Sequence, residues 1–343
     1  MLDDLRDLLA HAASAFVDTR TNYCQVEVTA LTDQRCVLTG TVLNTTTRDT
    51  LVAAFSAALS LRFPALAVDT SAVRVLQGGD TVPRIVATNL TGLFAQPSFR
   101  AEQVSQLLNG APLEQLMAED RWLFVRQLDG YLGWVYTPYL TNPMGIVPTH
   151  LVHEPVSLLR AEPNEVAPLV SRVLGGTQVA VTQVEEGWAW ITLAGNHAGW
   201  LPLADLRGLD ALPQDEDRRR RQIVEDAHRY VGVPYLWGGS SGMGIDCSGL
   251  AQLTYQLAGL TLPRDADMQF DAGRPVDPPF QPGDLLFFGE LGANRRITHV
   301  GISLGGWRII HASRSQNGVY ADDVEAVDHL RKSFVGARTF MGE

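Results

Sequence analysis

A stretch of this sequence occurs twice. Pro97, Leu107-Leu108-Asn109-Gly110, Trp122, Gly133-Trp134 and Leu140 return without a gap as Pro163, Val173-Leu174-Gly175-Gly176, Trp188, Gly199-Trp200 and Leu206, each displaced by 66 residues. A constant displacement over so many positions means two copies of one structural unit. Within each copy, short alternating apolar runs are broken by glycines and Asn-Gly turns, the pattern of brief β-strands joined by tight hairpins. Two small β-barrels are therefore expected, at residues 84–144 and 146–208. A chain of 343 residues exceeds what one core usually organises. The repeat is thus expected to lie between an N-terminal domain, residues 1–80, and a C-terminal domain, residues 215–343.

Composition narrows the partners. Hydrophobic residues make up 45% of the chain and charged residues 19%, a globular profile rather than a disordered one. With 27 Lys+Arg against 38 Asp+Glu the net charge is −11, so a phosphate backbone is repelled and no nucleic acid is expected as a partner. The arginines at 218 to 221 follow Asp215-Glu216-Asp217, acids suited to the start of a helix reaching Tyr230, so they read as a solvated helix face. The acidic start Met1-Leu-Asp-Asp-Leu-Arg-Asp is unlike an export signal. Apolar stretches such as residues 51–61 are too short to span a bilayer. A cytoplasmic location with no membrane partner is the expectation. Cys24, Cys36 and Cys247 form no disulfide framework, which suits a reducing compartment.

Residues 2–17 set Leu2, Leu5, Leu8, Leu9, Ala12, Ala13 and Phe16 on one helical face. Residues 24–31 and 36–43 alternate like strands, 50–61 are helical in pattern, and 67–76 return to strand. This α-β-β-α-β order resembles the small BON-type domain, and Cys24 and Cys36 read as core residues within it. The repeated unit, through its turn glycine, its Trp and its Gly-Trp followed by Val or Leu, resembles the bacterial SH3 domain.

Chemistry is concentrated near the C terminus. A glycine-rich loop, residues 233–245, gives way at Asp246-Cys247 to a helical pattern with Leu250, Leu253 and Leu257 on one face and Gly259 as its stop. Cys247 thus lies in the first turn of a helix, where unpaired amides and the positive dipole end are expected to pull the thiol below its free pKa of about 8.5. An anionic sulfur is a nucleophile, and amide cleavage further needs an imidazole to protonate the leaving nitrogen. His299 and His311 lie on two alternating segments separated by Gly305-Gly306, so they are expected side by side on one sheet, His311 orienting His299. A structural thiol, satisfied core histidines or a metal site are the alternatives. Metal-ligand spacing with cysteine pairs is absent, and no metal or cofactor is expected.

Residues 218–343 resemble the NlpC/P60 family of papain-like cysteine peptidases. The motifs are Pro234-Tyr235-Leu236-Trp237-Gly238-Gly239, Asp246-Cys247-Ser248-Gly249, Pro263-Arg264-Asp265, Pro282-Gly283-Asp284-Leu285-Leu286-Phe287-Phe288, His299-Val300-Gly301-Ile302 and His311-Ala312. The resemblance implies an α+β fold, a papain-like catalytic domain preceded by two SH3-like barrels and a small α+β domain. It implies Cys247 as nucleophile, His299 as base and acid, His311 as third polar residue and Tyr235 as an oxyanion donor. Asp246, Ser248 and Trp237 are expected to contact substrate. Asp265, with Glu102 and Tyr131 from the first SH3-like copy, is expected to read a free substrate amine. The substrate implied is a murein peptide, L-Ala-γ-D-Glu-diamino acid, cleaved before the diamino acid in peptide recycling. An exported wall-binding or wall-remodelling protein is the alternative, and acyl transfer is an alternative to hydrolysis.

Overall fold

The computed structural model describes residues 1–342 except 33, 80, 146 and 291–295. The expected domain limits at 80, 146 and 343 lie outside the described residues. The chain is α+β and divides into two compact units, Met1–Pro83 with Glu114–Trp134, and Arg84–Leu113 with Val135–Glu343. The first SH3-like copy is therefore shared between the units. Among the described residues, no helix is long and apolar enough to cross a membrane.

In the first unit, helix Leu2–Ala13 ends in the 3-10 turn Ser14–Phe16, and the chain continues through strands Cys24–Leu31 and Arg35–Val42, helix Thr45–Arg62 and strand Ala67–Val75. The middle strand pairs antiparallel with the first and parallel with the third. The long helix starts before residue 50, where apolar periodicity alone would begin it. Asn44 caps it by accepting the Thr47 N–H at 2.9 Å, and such a cap satisfies amides that would otherwise lack partners. Its buried face, Thr47, Leu51, Phe55 and Leu59, meets Leu5, Leu9 and the fully buried Cys36, with Cys24 packed at the edge of the same core. The hairpin of Pro112–Glu119 and Trp122–Arg126 joins this unit through Phe124, whose ring lies 5.3 Å from that of Tyr23.

The second unit contains the whole second copy of the repeat. Its strand order is Leu169–Leu174, Val156–Arg160, Ala198–Pro202, Trp188–Thr192, Gln178–Glu185, His150–Val152 and Leu206–Gly208, closed over Val152, Leu159, Val173, Val179, Ile191, Leu193 and Leu201. Gly110 and Gly176, equivalent in the two copies, have φ of +77° and +90°, a region favouring glycine. The preceding position differs between the copies for a separate reason. A Cβ at Gly175 would stand 2.1 Å from the Tyr230 hydroxyl, so Asn109 of the first copy cannot be tolerated there.

The remainder is a six-stranded sheet, ordered Arg274–Val276, Phe334–Thr339, Leu285–Glu290, Arg296–Gly305, Arg308–Ser313 and Gly318–Asp323. Helix Cys247–Leu257 packs on strands Arg296–Gly305 and Arg308–Ser313. Leu250, Leu253 and Leu257 are all buried in the core around this helix, each contributing roughly 2 kcal/mol by leaving water. Helix Glu216–Arg229 carries the arginine run, capped by Asp215 on the Arg218 N–H. Its reading as a solvated face needs one correction. Arg220 points inward and binds Asp284 at 2.9 Å and the Pro282 carbonyl at 2.9 Å, because the sheet end below the helix offers acceptors that burial leaves without water.

Candidate active site

The helix bearing Cys247 begins where it does because Asp246 caps it. Asp246 Oδ1 accepts the Gly249 N–H at 2.7 Å, and Oδ2 accepts the Gly238 N–H at 2.9 Å. Arg264, 1% exposed, forks onto the same carboxylate at 3.1 and 2.7 Å, and also donates to Ser248 Oγ and Ser105 Oγ. A two-toothed guanidinium pairing of this kind sets angle as well as distance. Asp246 and Ser248 thus hold the start of the helix. Both side chains are buried and directed at each other and at Arg264.

Strand Gln103–Leu108 of the first SH3-like copy forms one wall of the loop before Cys247. Gln106 Oε1 accepts the Ser240 N–H at 3.0 Å and the Ser241 hydroxyl at 2.9 Å. Gly238 lies against the same strand at φ +70°, where a Cβ would meet the Gln103 carbonyl at 2.3 Å. Only glycine lets the loop approach so closely.

The half-buried Cys247 does not have the lowered pKa expected from its helix position. Burial, and then the charge of Asp246, push the thiol up to about 12, against hydrogen bonds from the Val300 and Ser248 amides and the charge of Arg264. The dipole argument fails because the cap that starts the helix is itself an anion. Asp246 takes up the first-turn Gly249 amide and places a negative charge one residue from the sulfur. At neutral pH the sulfur is therefore a thiol, activated only if a base removes its proton.

The residue expected to be that base, His299, is on the facing strand. The Val300 amide that contacts the sulfur follows His299 directly. His299 Nε2 lies 2.7 Å from His311 Nδ1, and His311 Nε2 lies 3.3 Å from Asp322 Oδ2, a residue the sequence reading did not single out. A carboxylate only accepts, so His311 carries its proton on Nε2 and accepts at Nδ1. His299 then donates from Nε2, and its Nδ1 keeps a lone pair. Burial, with the nearby His329, lowers His299 to about 4, and burial, with His299, lowers His311 to about 4 despite Asp322. Both rings are neutral near pH 7.

Tyr235 and Trp237 flank this site. Burial, then the charges of Cys247 and Asp246, raise the Tyr235 phenol to about 12, so it is a hydrogen-bond donor. The half-exposed Trp237 indole N–H donates to Glu102 Oε1 at 2.7 Å, which brings one expected amine-reading residue to the catalytic loop. Asp265 is half-buried at the start of helix Ala266–Ala272. Tyr131 belongs to the other unit, 2% exposed, its amide on Asp129 Oδ1. Asp322 and Arg314 are members not expected from the sequence, and Arg264 stands in the Pro263-Arg264-Asp265 motif without a role assigned by it. Their partners are distant in sequence or across strands, and no local spacing announces them.

Residues 232–339 match the NlpC/P60 family, and residues 93–137 and 159–206 each match the bacterial dipeptidyl-peptidase Sh3 domain. The chain is 30% identical over 257 residues to dipeptidyl-peptidase 6 of Lysinibacillus sphaericus, covering 70% of this chain and 91% of that protein. It is 27% identical over 225 residues to a γ-D-glutamyl-L-lysine dipeptidyl-peptidase of Bacillus cereus, covering 63% and 66%. A crystal structure of an NlpC/P60 family protein from Bacillus cereus aligns over 76% of this chain and 100% of its own, with a TM-score of 0.68 at 21% identity, which establishes a shared fold.

Proposed function

Because this chain belongs to the NlpC/P60 family, we propose that it is a cysteine peptidase that hydrolyses the bond between γ-D-glutamate and the diamino acid in free L-Ala-γ-D-Glu-diamino acid peptides. The observation carrying this reading is the neutral relay His299–His311–Asp322 ending on the strand against which the Cys247 sulfur rests. The names of relatives that act on γ-D-glutamyl-L-lysine support the substrate.

In this reading His299 Nδ1 takes the Cys247 proton as the sulfur attacks the γ-carbonyl carbon. The oxyanion is met by the Tyr235 hydroxyl and the Cys247 amide. As the C–N bond breaks, His299 returns that proton to the departing amine, leaving a thioester on Cys247 and an uncharged His299. Water then attacks the thioester, giving its proton to His299 and releasing the dipeptide and the thiol. Asp265 and Glu102 read the substrate's free ammonium, and the work is done in the cytoplasm as peptide recycling. The test is to incubate the enzyme with the free tripeptide, its N-acetyl form and intact sacculi, measuring released diamino acid. Release from the free-amine peptide alone is expected. Equal rates on the blocked peptide remove the amine pocket, and sacculus digestion replaces recycling with wall remodelling.

Two further outcomes are expected. Since His299 titrates near 4 rather than 6.5, the acid limb of kcat/KM falls below pH 5 instead of near 6.5. Over the same interval the unfolded chain binds protons that the buried rings refuse, so stability declines as pH drops from 6.5 toward 4 and levels off below. A limb at 6.5 contradicts the buried, neutral base. Asp322→Asn allows an amide N–H to face His311 and reverse the tautomers, leaving His299 Nδ1 protonated. A fall in kcat on the order of a hundredfold, with KM little changed and partial recovery at alkaline pH, is expected. A proportional loss at every pH marks Asp322 as merely structural.

A further inference from the structure

The second copy of the repeat has no part in the mechanism above, yet it meets the catalytic core at the far end of the nucleophile helix. Leu151, on strand His150–Val152, is 1% exposed and shares a hydrophobic core with Leu253 and Leu257. Arg207 pairs with Leu151 from the neighbouring strand Leu206–Gly208. Its guanidinium forks onto Asp226, donating to Oδ2 at 2.8 Å and Oδ1 at 2.9 Å, and donates again to the Leu257 carbonyl at 2.6 Å. Gln256, in the same last turn, donates to the Gly176 carbonyl at 3.4 Å. Leu257 ends helix Cys247–Leu257, so its carbonyl is one that the helix leaves without an intrahelical partner. A cation there also complements the negative end of the helix dipole. Asp226, fully buried on helix Glu216–Arg229, sets the angle of the fork. Gln222 Nε2 at 3.2 Å and Arg229 Nε at 3.7 Å face the same carboxylate.

The opposite end of this helix is held from the first copy, through Ser105 Oγ on Arg264 and Arg264 on the Asp246 cap. The two copies thus grip one helix at its two ends, and with different residues. By the displacement of 66 residues, the first-copy position equivalent to Arg207 is Thr141, which offers neither charge nor fork. A helix held only at its first turn is free to tilt, and its first residue moves with it. Attack needs the sulfur within a narrow range of distance from base and carbonyl, and a misplacement near 1 Å costs about a hundredfold in rate. We propose that Arg207 is a positioning residue: by tying the carbonyl end of the nucleophile helix to Asp226 and to the second barrel, about 15 Å from Cys247, it sets where the sulfur stands. This is what the second copy contributes to catalysis. The inference rests on the proposed function, in which Cys247 is the nucleophile.

Arg207→Met alone strands a buried carboxylate, so lost folding and lost activity are mixed in it. The decisive variant is Arg207→Met with Asp226→Leu, which leaves no buried carboxylate there without a partner and is expected to melt close to wild type, while the Leu257 carbonyl still lacks its donor. The measurements are kcat and KM on L-Ala-γ-D-Glu-L-Lys, melting by circular dichroism, and amide hydrogen exchange over residues 250–259. In the double variant, kcat is expected to fall about 10- to 100-fold with KM within about twofold of wild type, and the helix end to exchange faster. Arg207→Lys keeps the charge without the fork, so it is expected to regain stability and only part of kcat. A kcat that returns to wild type along with stability in the double variant overturns the proposal and leaves Arg207 as a partner for Asp226 alone. A raised KM at unchanged kcat also overturns it. A wild type inert toward the tripeptide overturns the proposed function instead. The exchange, which needs no substrate, then decides the brace, and exchange unchanged in the double variant overturns it.

Discussion

Cys247→Ala and His299→Ala are each expected to reduce diamino acid release from the free tripeptide by about 10⁴-fold or more, with the fold intact. Removing the sulfur leaves no atom to form the thioester. Removing the imidazole leaves a thiol whose proton, held by burial and by Asp246 at a pKa of about 12, has nowhere to go near pH 7. Because sulfur and base act as one unit, the double variant is expected to lose little more than either single one. Steady-state release by mass spectrometry checks this, with circular dichroism confirming folding. Residual activity within tenfold of wild type in either variant contradicts the assignment. Losses that multiply in the double variant contradict the coupling.

The largest stability effect is expected at Arg264. Arg264→Met strips the buried Asp246 carboxylate of its two-toothed partner and leaves the charge to the Gly238 and Gly249 amides and the Ser248 hydroxyl. Breaking a buried pair by removing one member costs about 3–5 kcal/mol, and a loss on the order of 10 °C in the calorimetric transition of the unit containing it follows. Lys at 264 restores the charge without the fork and is expected to recover only part. The same substitution releases Ser105 of the SH3-like wall, so KM rises as well. A transition unmoved in Arg264→Met means the pair only breaks even against desolvation and does not organise the helix start.

Local pattern made much of this molecule readable. Leu250, Leu253 and Leu257 announced a helix beginning at Cys247, and Gly305-Gly306 announced the turn that brings His299 and His311 onto adjacent strands. Both are contacts between near neighbours in sequence, where periodicity of 3.6 or 2 carries the information. Arg264 joined to Ser105 is different. The partners are 159 residues apart, and nothing in either segment specifies the other. Asp322 reaches His311 across a strand pair, looking from its own sequence like another acid on an edge strand. The thiol pKa was misjudged for a related reason: helix position is legible, but the balance between dipole, cap anion and burial depends on what packs above the sulfur. Helix Thr45–Arg62 shows a milder case, since its start was set by the Asn44 cap rather than by its apolar face.

Attack by the Cys247 sulfur, with its proton passing to His299, requires that the γ-glutamyl group spend part of each turnover as a thioester. Adding hydroxylamine during cleavage of L-Ala-γ-D-Glu-L-Lys intercepts such a species, and the products are resolved by mass. The expected result is L-Ala-γ-D-Glu carrying a γ-hydroxamate, rising with hydroxylamine concentration at the expense of the free dipeptide, and absent with Cys247→Ala. Release of the free dipeptide alone at every hydroxylamine concentration would mean that water attacks the amide directly and that the cysteine is not the nucleophile.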